Sequence, residues 1–139
     1  MASSVIFKAL QEAAKLLLNA KNPVILADRA ARNQEGVKAL VKLAESLQAP
    51  VVDLGARMNF PSMHHLCLSD QKRALVREAD VILMLEVFDP WGQVNGLSDP
   101  FKTVRPEAKP DVKIITIGMN DVSIRSNYQD FQRFLSVEM

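Results

Sequence analysis

Cysteine, surplus positive charge and long apolar runs are scarce in this chain, and each scarcity excludes a class of protein. The single cysteine, Cys67, rules out an internal disulfide and favours a reducing compartment, so we expect a cytoplasmic protein. The 17 basic residues face 16 acidic ones, without the basic excess typical of nucleic-acid binders. No apolar run approaches a membrane span, and residues 1–20 do not resemble a signal peptide. We therefore expect neither nucleic acid nor a membrane as a partner.

Glycine is also scarce, and none of the five glycines stands where a phosphate-binding loop needs it. A dinucleotide fingerprint places glycines after the first strand, so that the backbone approaches a pyrophosphate at a helix N-terminus. Here that loop reads Asp28-Arg29-Ala30-Ala31-Arg32-Asn33. Arg29 and Arg32 either hold an anion there or are solvated residues, or residues paired with Asp28. The missing glycines favour the second interpretation.

Helical periodicity alternates with short apolar runs along the chain. Helical spacing predicts helices over residues 5–20, 35–48 and 70–79. The first has an apolar face of Ile6, Leu10, Ala13 and Leu17, and the third is capped by Ser69 or Asp70. Solid apolar runs predict strands at 24–27, 51–54, 81–85 and 112–117, which indicates an α/β fold with a parallel sheet covered on both faces. The proline-rich segment 86–111 is expected to be irregular, and long loops of this kind are often functional or interfacial.

Loops after the predicted strands should meet at one edge, where parallel sheets bind ligands. Asp53 ends the second strand, either as a ribose-binding acid or, more in keeping with the missing glycines, as a strand-end cap. The run from His64 to Cys67, with Asp70, superficially resembles a metal cluster, but adjacent histidines do not easily reach one ion. Cys67 is expected to be a small buried hydrophobe, and Trp91 is equally an interface anchor or a core residue. No triad, nucleophile elbow or carboxylate pair is recognisable, so we assign no catalytic and no metal-binding residue.

Five stretches occur in an order that is familiar from one family. They are 13–18 (AAKLLL) leading into 22–27 (NPVILA), 40–45 (LVKLAE) leading into 48–52 (QAPVV), Phe60-Pro61 with His64, 79–83 (ADVIL), and 113–117 (KIITI) with Ile124 and Asn127. Together they resemble the central domain of thiamine-diphosphate (TPP)-dependent enzymes of the acetolactate synthase and pyruvate decarboxylase type. His65 departs from the pattern, because proline is usual there.

The resemblance implies a Rossmann-like three-layer αβα domain with a parallel sheet of five to six strands, of the DHS-like NAD/FAD-binding type. Full-length members carry pyrimidine-binding, central and diphosphate-binding domains, and they assemble as homo-oligomers. Thiamine diphosphate and Mg²⁺ lie between the two outer domains, where 2-oxo acids are decarboxylated or joined. This chain lacks the Gly-Asp-Gly that opens the metal and diphosphate motif. By resemblance, residues 1–139 are a single non-catalytic domain that is inactive alone and binds neither group by itself.

In some members the central domain binds FAD or ADP, and in others it is purely structural. The nucleotide contacts that the resemblance implies are Asp28, Arg29, Arg57, Phe88, Asp89 and Asn120. Asp28-Arg29 replaces glycines that are usual after the first strand, and Gly118 and Asn120 replace acids that are usual after the fifth. Phe88-Asp89 still matches the family after the fourth strand. The departures favour a structural domain.

Two alternatives stand beside this prediction. One is a free-standing module that binds ADP or FAD or serves regulation; the other is a small enzyme built on Asp28, Asp53 and Glu86. The family's sheet closes with a sixth strand, whereas residues 134–139 stop where it would begin. We therefore expect a fragment of a longer enzyme that contacts the two outer domains. Residues 1–3 are expected to be an added or disordered start.

Overall fold

The computed structural model describes residues 2–98, 100 and 103–118. Its helices are α1 (Ala2–Asn19), α2 (Gln34–Leu47), α3 (Lys72–Glu78), which follows a 3₁₀ turn at Ser69–Gln71, and α4 (Pro90–Val94). Its strands are β1 (Pro23–Ala27), β2 (Val51–Asp53), β3 (Val81–Leu85), β4 (Asn95–Ser98), β5 (Thr103–Pro106) and β6 (Lys113–Ile117). The predicted helices and strands of the α/β unit are confirmed, with ends that differ from the prediction by at most three residues.

A parallel sheet of four strands, in the order β2-β1-β3-β6, forms the centre. In the register of the sheet, Leu83 lies opposite Ile25 on one side and Ile115 on the other. All five residues of β1 are buried, because helices cover both faces of the sheet. Residues 134–139, which were expected to stop where the closing strand would begin, lie outside the described residues.

Alternate residues of each strand enter two separate cores, which makes the fold three-layered. Ile25 and Ala27 pack with Leu17 of α1 and Leu40 of α2 on one face. Val24 and Leu26 of the same strand pack on the other face, with side chains that include Val76, Val94 and the partly buried Leu75. This double burial explains why the strands are solid apolar runs rather than alternating ones.

The apolar face predicted for α1 is only half buried. Ala13 and Leu17 are in the core, whereas Ile6 and Leu10 are 59% and 51% exposed. Eighteen residues make a helix of about 27 Å, and five-residue strands span only about 16 Å. One half of α1 therefore has no sheet beneath it, and residues 4–12 are all exposed.

The capping predicted for the third helix is wrong. Neither Ser69 nor Asp70 caps α3, which begins after the 3₁₀ turn without a side-chain cap in the described structure. The Ser69 hydroxyl instead accepts a hydrogen bond from the backbone N–H of Asp53, at 2.9 Å. The end of β2 thereby takes up the group that was expected to cap the helix.

Segment 86–111 is more ordered than the sequence indicated. Pro90 starts α4, where its missing N–H costs nothing, and the Asp89 carboxylate caps the helix by accepting from Gly92 N–H at 3.1 Å. The antiparallel pair of β4 and β5 follows, with all four residues of β5 exposed. Trp91 is 8% exposed, so of its two interpretations the core residue is correct.

Candidate functional site

The carboxyl ends of β1, β2 and β3 meet at one edge of the sheet, and Asn59 joins the first two of the loops that follow them. The Asn59 side chain is fully buried. Its Oδ1 accepts hydrogen bonds from the backbone N–H groups of Ala30 and Ala31, both at 3.0 Å. These groups belong to the loop between β1 and α2. The Asn59 side chain, from the loop after β2, therefore occupies the backbone N–H groups that precede α2. In a glycine-rich loop, such N–H groups would be free to bind a ligand.

The amide nitrogen of the same side chain faces four acceptors. Nδ2 lies within hydrogen-bond distance of the carbonyl oxygens of Ala27, Asp28 and Arg57, and of Asp53 Oδ1 at 3.0 Å. An amide carries only two hydrogens, so these acceptors share them. Every polar atom of the buried side chain is thus satisfied within the protein.

Asp53 has the role of a strand-end cap, as the sequence favoured. Its Oδ1 accepts from Gly55 N–H at 2.9 Å, and its Oδ2 accepts from Asn59 N–H at 2.8 Å. Gly55 has a φ of 88°, a left-handed conformation that glycine adopts without strain. The Asp53 carboxylate is therefore engaged by its own loop and by Asn59.

Asp28 connects β1 to the loop after β3. The Asp28 side chain is nearly buried, and its Oδ2 accepts from Phe88 N–H at 3.1 Å. The Arg29 guanidinium lies over the Phe88 ring, 5.8 Å from the centroid. Three of the proposed nucleotide contacts, Asp28, Arg29 and Phe88, are thus neighbours.

The expected pairing of arginine with Asp28 is not present among the described residues. Arg32 instead pairs with Glu86, with Nη2 3.5 Å from Oε1. Both Arg29 and Arg32 are exposed, which agrees with the solvated interpretation. Glu86 has a φ of 51°, so the chain leaves β3 through a conformation that costs an ordinary residue energy.

The remaining proposed contacts lie apart from this cluster or outside the description. Arg57 is exposed and contributes its carbonyl oxygen to Asn59. Asp89 caps α4. Asn120 lies outside the described residues.

The N-terminus of α2, where a nucleotide phosphate would be expected, is closed by the protein itself. Asn33 caps the helix by accepting from Gly36 N–H at 2.8 Å. A Cβ built on Gly36 would approach Ala31 Cα to 3.3 Å, so the loop lies tightly against the helix. The edge also presents the carboxylates of Asp28, Asp53 and Glu86, which repel phosphate. These residues do not fit the diphosphate of a nucleotide or of thiamine diphosphate.

An apolar cavity of about 320 Å³ lies beside the same edge. It is bounded by α2 and by the ends of β3 and β6, and its lining residues are Ala30, Gly36, Ala39, Leu40, Leu43, Leu85, Glu86 and Ile117. Glu86 is the charged residue among them. The volume is at the lower end for small-ligand sites, but the lining has no cation for a phosphate.

The histidine pair has structural contacts rather than a metal-ligand arrangement. His64 Nδ1 accepts from Leu66 N–H at 3.1 Å, which places the hydrogen on Nε2, 2.8 Å from Glu45 Oε1. Cys67 is partly buried beside the core, with its Sγ 3.6 Å from Ser69 Oγ. Within the described residues, no three His, Cys, Asp or Glu side chains are grouped so that they could hold a metal ion. None of the described helices is long and apolar enough to cross a membrane.

One lysine beside α4 has a perturbed pKa. Burial lowers the pKa of Lys72 below its usual range, and the neighbouring charge of Arg73 adds to this effect. The carboxylates of Glu107 and Asp89 act in the opposite direction but do not outweigh the burial. Lys72 is the first residue of α3 and directly precedes Arg73.

Together, these features define a three-layer α/β domain whose strand-end edge is occupied by its own side chains. A family profile described as the central domain of thiamine pyrophosphate enzymes matches residues 10–136. The match covers most of the 139 residues, and the chain belongs to this family. The resemblance predicted from the ordered stretches is thereby confirmed.

Asn59 is the residue that sequence reasoning missed. It stands in the irregular segment 55–69, directly before the Phe60-Pro61 pair that carried part of the resemblance. A single asparagine in a loop has no periodicity or spacing that marks it as buried. The one sequence signal of its burial was its position, after a predicted strand and directly before Phe60, which the structure shows to be fully buried.

Proposed function

We propose that the chain serves as the non-catalytic central domain of a thiamine-diphosphate-dependent carboligase or decarboxylase acting on 2-oxo acids. In this role it is inactive alone and supports a pyrimidine-binding and a diphosphate-binding domain, which hold thiamine diphosphate and Mg²⁺ in a homo-oligomer. Family membership supports the role of one domain in a multi-domain enzyme. The observation that carries the non-catalytic assignment is the buried Asn59, which satisfies the strand-end loops internally.

The carboxylates at this edge are occupied as hydrogen-bond acceptors. Asp53 accepts from two backbone N–H groups and Asp28 from one. Binding Mg²⁺ there would require breaking the bonds that hold the loops together. The alternative of a small enzyme built on Asp28, Asp53 and Glu86 is disfavoured for the same reason.

Exposed apolar side chains support contact with neighbouring domains. Ile6, Phe7 and Leu10 of α1 are each more than half exposed, and Met63 is 95% exposed. Large exposed apolar groups that cluster on one element are typical of surfaces covered in an assembly. We assign the exposed half of α1 to contact with the rest of the parent enzyme. A cytoplasmic location is part of the same proposal and rests on the single cysteine.

Two measurements test the proposal. The coding sequence on either side of the chain should contain an activating glutamate upstream and a Gly-Asp-Gly motif downstream; a stop codon directly after Met139 with neither motif would contradict it. The chain alone, supplied with thiamine diphosphate, Mg²⁺ and pyruvate, should give no turnover. A rate above that of free thiamine diphosphate, lost in the Asp28→Asn variant, would overturn the non-catalytic assignment.

The second candidate function is the nucleotide-binding module. The apolar cavity of about 320 Å³ beside the strand ends offers space for a base, whereas its lining has no cation for the diphosphate. Thermal unfolding should be followed during titration with ADP, FAD, NAD and coenzyme A. Ligand at about 100 times its Kd would stabilise the fold by about 2.7 kcal/mol. The variant Ala39→Phe fills the cavity and should abolish any such shift. No shift with any of the four ligands would exclude this function.

A further inference from the structure

A second surface, on the other side of the molecule from α1 and α2, concentrates positive charge. It is a cleft of about 450 Å³ between α3 and the chain that follows β5. Its lining residues are Arg73, Arg77, Val104, Arg105, Pro106, Glu107, Ala108 and Lys109. Four of these are cations and one is an acid, in a chain whose overall net charge is only +1. The charge is thus locally concentrated.

Three segments supply the cations that line the cleft. Arg73 and Arg77 are four residues apart on α3, which places them on the same side of the helix. Arg105 comes from β5, and Lys109 from the segment that leads to β6. A cluster that is assembled from separate elements surrounds a ligand instead of presenting a single charged stripe.

Internal acids neutralise only part of this charge. Arg73 Nη2 lies 3.4 Å from Glu107 Oε1, and Lys109 Nζ lies 4.0 Å from Glu78 Oε2. Among the described residues, Arg77 and Arg105 have no ion-pair partner, and both side chains are exposed. Two guanidinium groups therefore remain for an external anion. Guanidinium binds phosphate through two parallel hydrogen bonds, so it is the side chain best suited to this ligand.

We propose that this cleft, named here the arginine cleft, binds a small anion of the pyrophosphate class. The cleft has room for two phosphate groups, and its cations come from three segments of the chain. None of the described residues that line it is aromatic and could stack on a base, so recognition is by phosphate alone. The arginine cleft involves none of the residues at the strand-end edge, and the inference stands independently of the proposed function.

Calorimetric titration of the chain with inorganic pyrophosphate tests the proposal, with inorganic phosphate as the second arm. We expect saturable binding of pyrophosphate that weakens as salt is added, and weaker binding of phosphate, which offers fewer charges to the guanidinium groups. The double variant Arg77→Gln, Arg105→Gln should lose at least about tenfold in affinity. The control Lys42→Gln removes an exposed cation of α2, outside the cleft, and should bind as the unaltered chain does.

A variant that binds more tightly tests the proposal without the ambiguity of misfolding, because a misfolded variant would only lose affinity. Glu107→Gln removes the one acid in the cleft and releases Arg73 from its ion pair, so it should bind pyrophosphate several-fold more tightly. Ala39→Phe alters only the apolar cavity and should leave pyrophosphate binding unchanged. The proposal is overturned if pyrophosphate fails to bind. It is equally overturned if Glu107→Gln does not bind it more tightly, or if Lys42→Gln weakens binding as much as the double variant does.

Discussion

At the residue scale, the Asn59 side chain joins separate segments of the described chain by hydrogen bonds. One fully buried amide accepts from two backbone N–H groups and donates among four oxygen acceptors. These partners belong to β1 and the loop after it, and to the end of β2 and the loop after it. Removing the amide leaves the N–H groups of Ala30 and Ala31 and the Asp28 carbonyl without their side-chain partner, which costs free energy because these groups are shielded from water. The Ala27 carbonyl still accepts from Leu54 N–H, at 2.9 Å.

We expect Asn59→Ala to lower the free energy of unfolding by about 2–4 kcal/mol, because several buried polar groups lose their partners at once. Urea unfolding at neutral pH measures the change. Asn95→Ala is the matched control, since Asn95 donates a single hydrogen bond, to the Trp91 carbonyl, at 3.1 Å. It should cost about 1 kcal/mol. Equal losses in the two variants would show that the Asn59 network adds nothing beyond one bond.

Asp80 has a comparable role at the opposite edge of the sheet. Its carboxylate accepts from the backbone N–H groups of Lys21 and Asn22, at 2.7 and 2.9 Å, and thereby fixes the turn between α1 and β1 to the start of β3. Burial by itself raises the pKa of Asp80. Hydrogen bonds from Lys21, Asn22, Asp80 and Val81 lower it further than burial raises it, so the net pKa is below its usual value.

The lowered pKa gives the stability a predictable pH dependence. Folding favours the charged carboxylate, so the stabilisation is fully present above the unfolded-state pKa and is lost as pH falls through the lower folded-state pKa. At pH 7, Asp80→Asn should cost about 1 kcal/mol, and the difference from the unaltered chain should shrink in acid. Urea unfolding of both proteins, measured from pH 7 down into acid, checks this expectation. Asp111→Asn is the control, because Asp111 is an exposed acid that lines the same surface pocket as Asp80. A pH-independent loss in Asp80→Asn would contradict the argument.

Residue roles differed in how far the sequence could predict them. Asp53 ends an apolar run, and that position alone favoured a strand-end cap. Asn59 and Arg32 depend on partners 28 residues and 54 residues away, which the turns of the backbone bring close. No local pattern encodes such pairings. This is why the sequence offered pairing with Asp28 as one option for Arg29 and Arg32, whereas in the structure Arg32 pairs with Glu86.

At the scale of elements, the end of α2 shows a local conflict between sequence and conformation. Gln48 adopts a left-handed conformation with φ 49°, and its N–H bonds to the Glu45 carbonyl at 3.3 Å. Its side-chain amide also donates to the Glu45 carbonyl, at 2.7 Å. Glycine is the usual residue at such a position, because it has no Cβ to clash.

Substitutions at Gln48 should therefore separate two effects on stability: the cost of the left-handed backbone conformation and the side-chain hydrogen bond to the Glu45 carbonyl. Gln48→Gly should be more stable than Gln48→Ala by about 1 kcal/mol, since alanine retains the left-handed cost and both variants lose the side-chain bond. Chemical unfolding of the two variants measures this difference directly. If they are equally stable, the conformation at residue 48 carries no strain.

The elements that the sequence predicted well are those with a strong internal pattern. The strand at 81–85 was predicted to the residue, because it is a run of five consecutive apolar residues, of which four are buried and Leu85 is partly buried. The pair of β4 and β5 was missed, since Asn95–Ser98 contains a glycine and Thr103–Pro106 a proline. Both residues weaken the strand signal, and the exposed surface of β5 gives no apolar alternation to replace it.

At the scale of the whole molecule, the parallel sheet follows from solid apolar runs between helices, but its strand order does not. The order β2-β1-β3-β6 depends on which helices cover which face, and the composition of the strands is too similar to decide this. The same limit applies to α1. Its apolar stripe predicted burial along the whole helix, and only the length of the sheet beneath it determines where burial ends.

The exposed half of α1 therefore offers a test of the domain as part of a larger assembly. The triple variant Ile6→Gln, Phe7→Gln, Leu10→Gln removes three large apolar side chains that are each more than half exposed. Glutamine preserves helix propensity, so the free energy of unfolding should change by no more than about 1 kcal/mol. Leu17→Gln is the matched control on the same helix and should cost about 3 kcal/mol or more, because it buries an amide in the core.

The triple variant should change self-association of the chain, although it should hardly change the free energy of unfolding. In sedimentation velocity, the isolated chain should form fewer oligomers after the triple change, because the exposed apolar patch that favours association is removed. In the parent enzyme the same change should weaken assembly while the central domain itself remains folded. A triple variant as unstable as Leu17→Gln would place these residues in the core of the domain. A stable variant with unchanged association would show that this half of α1 contacts no neighbouring domain.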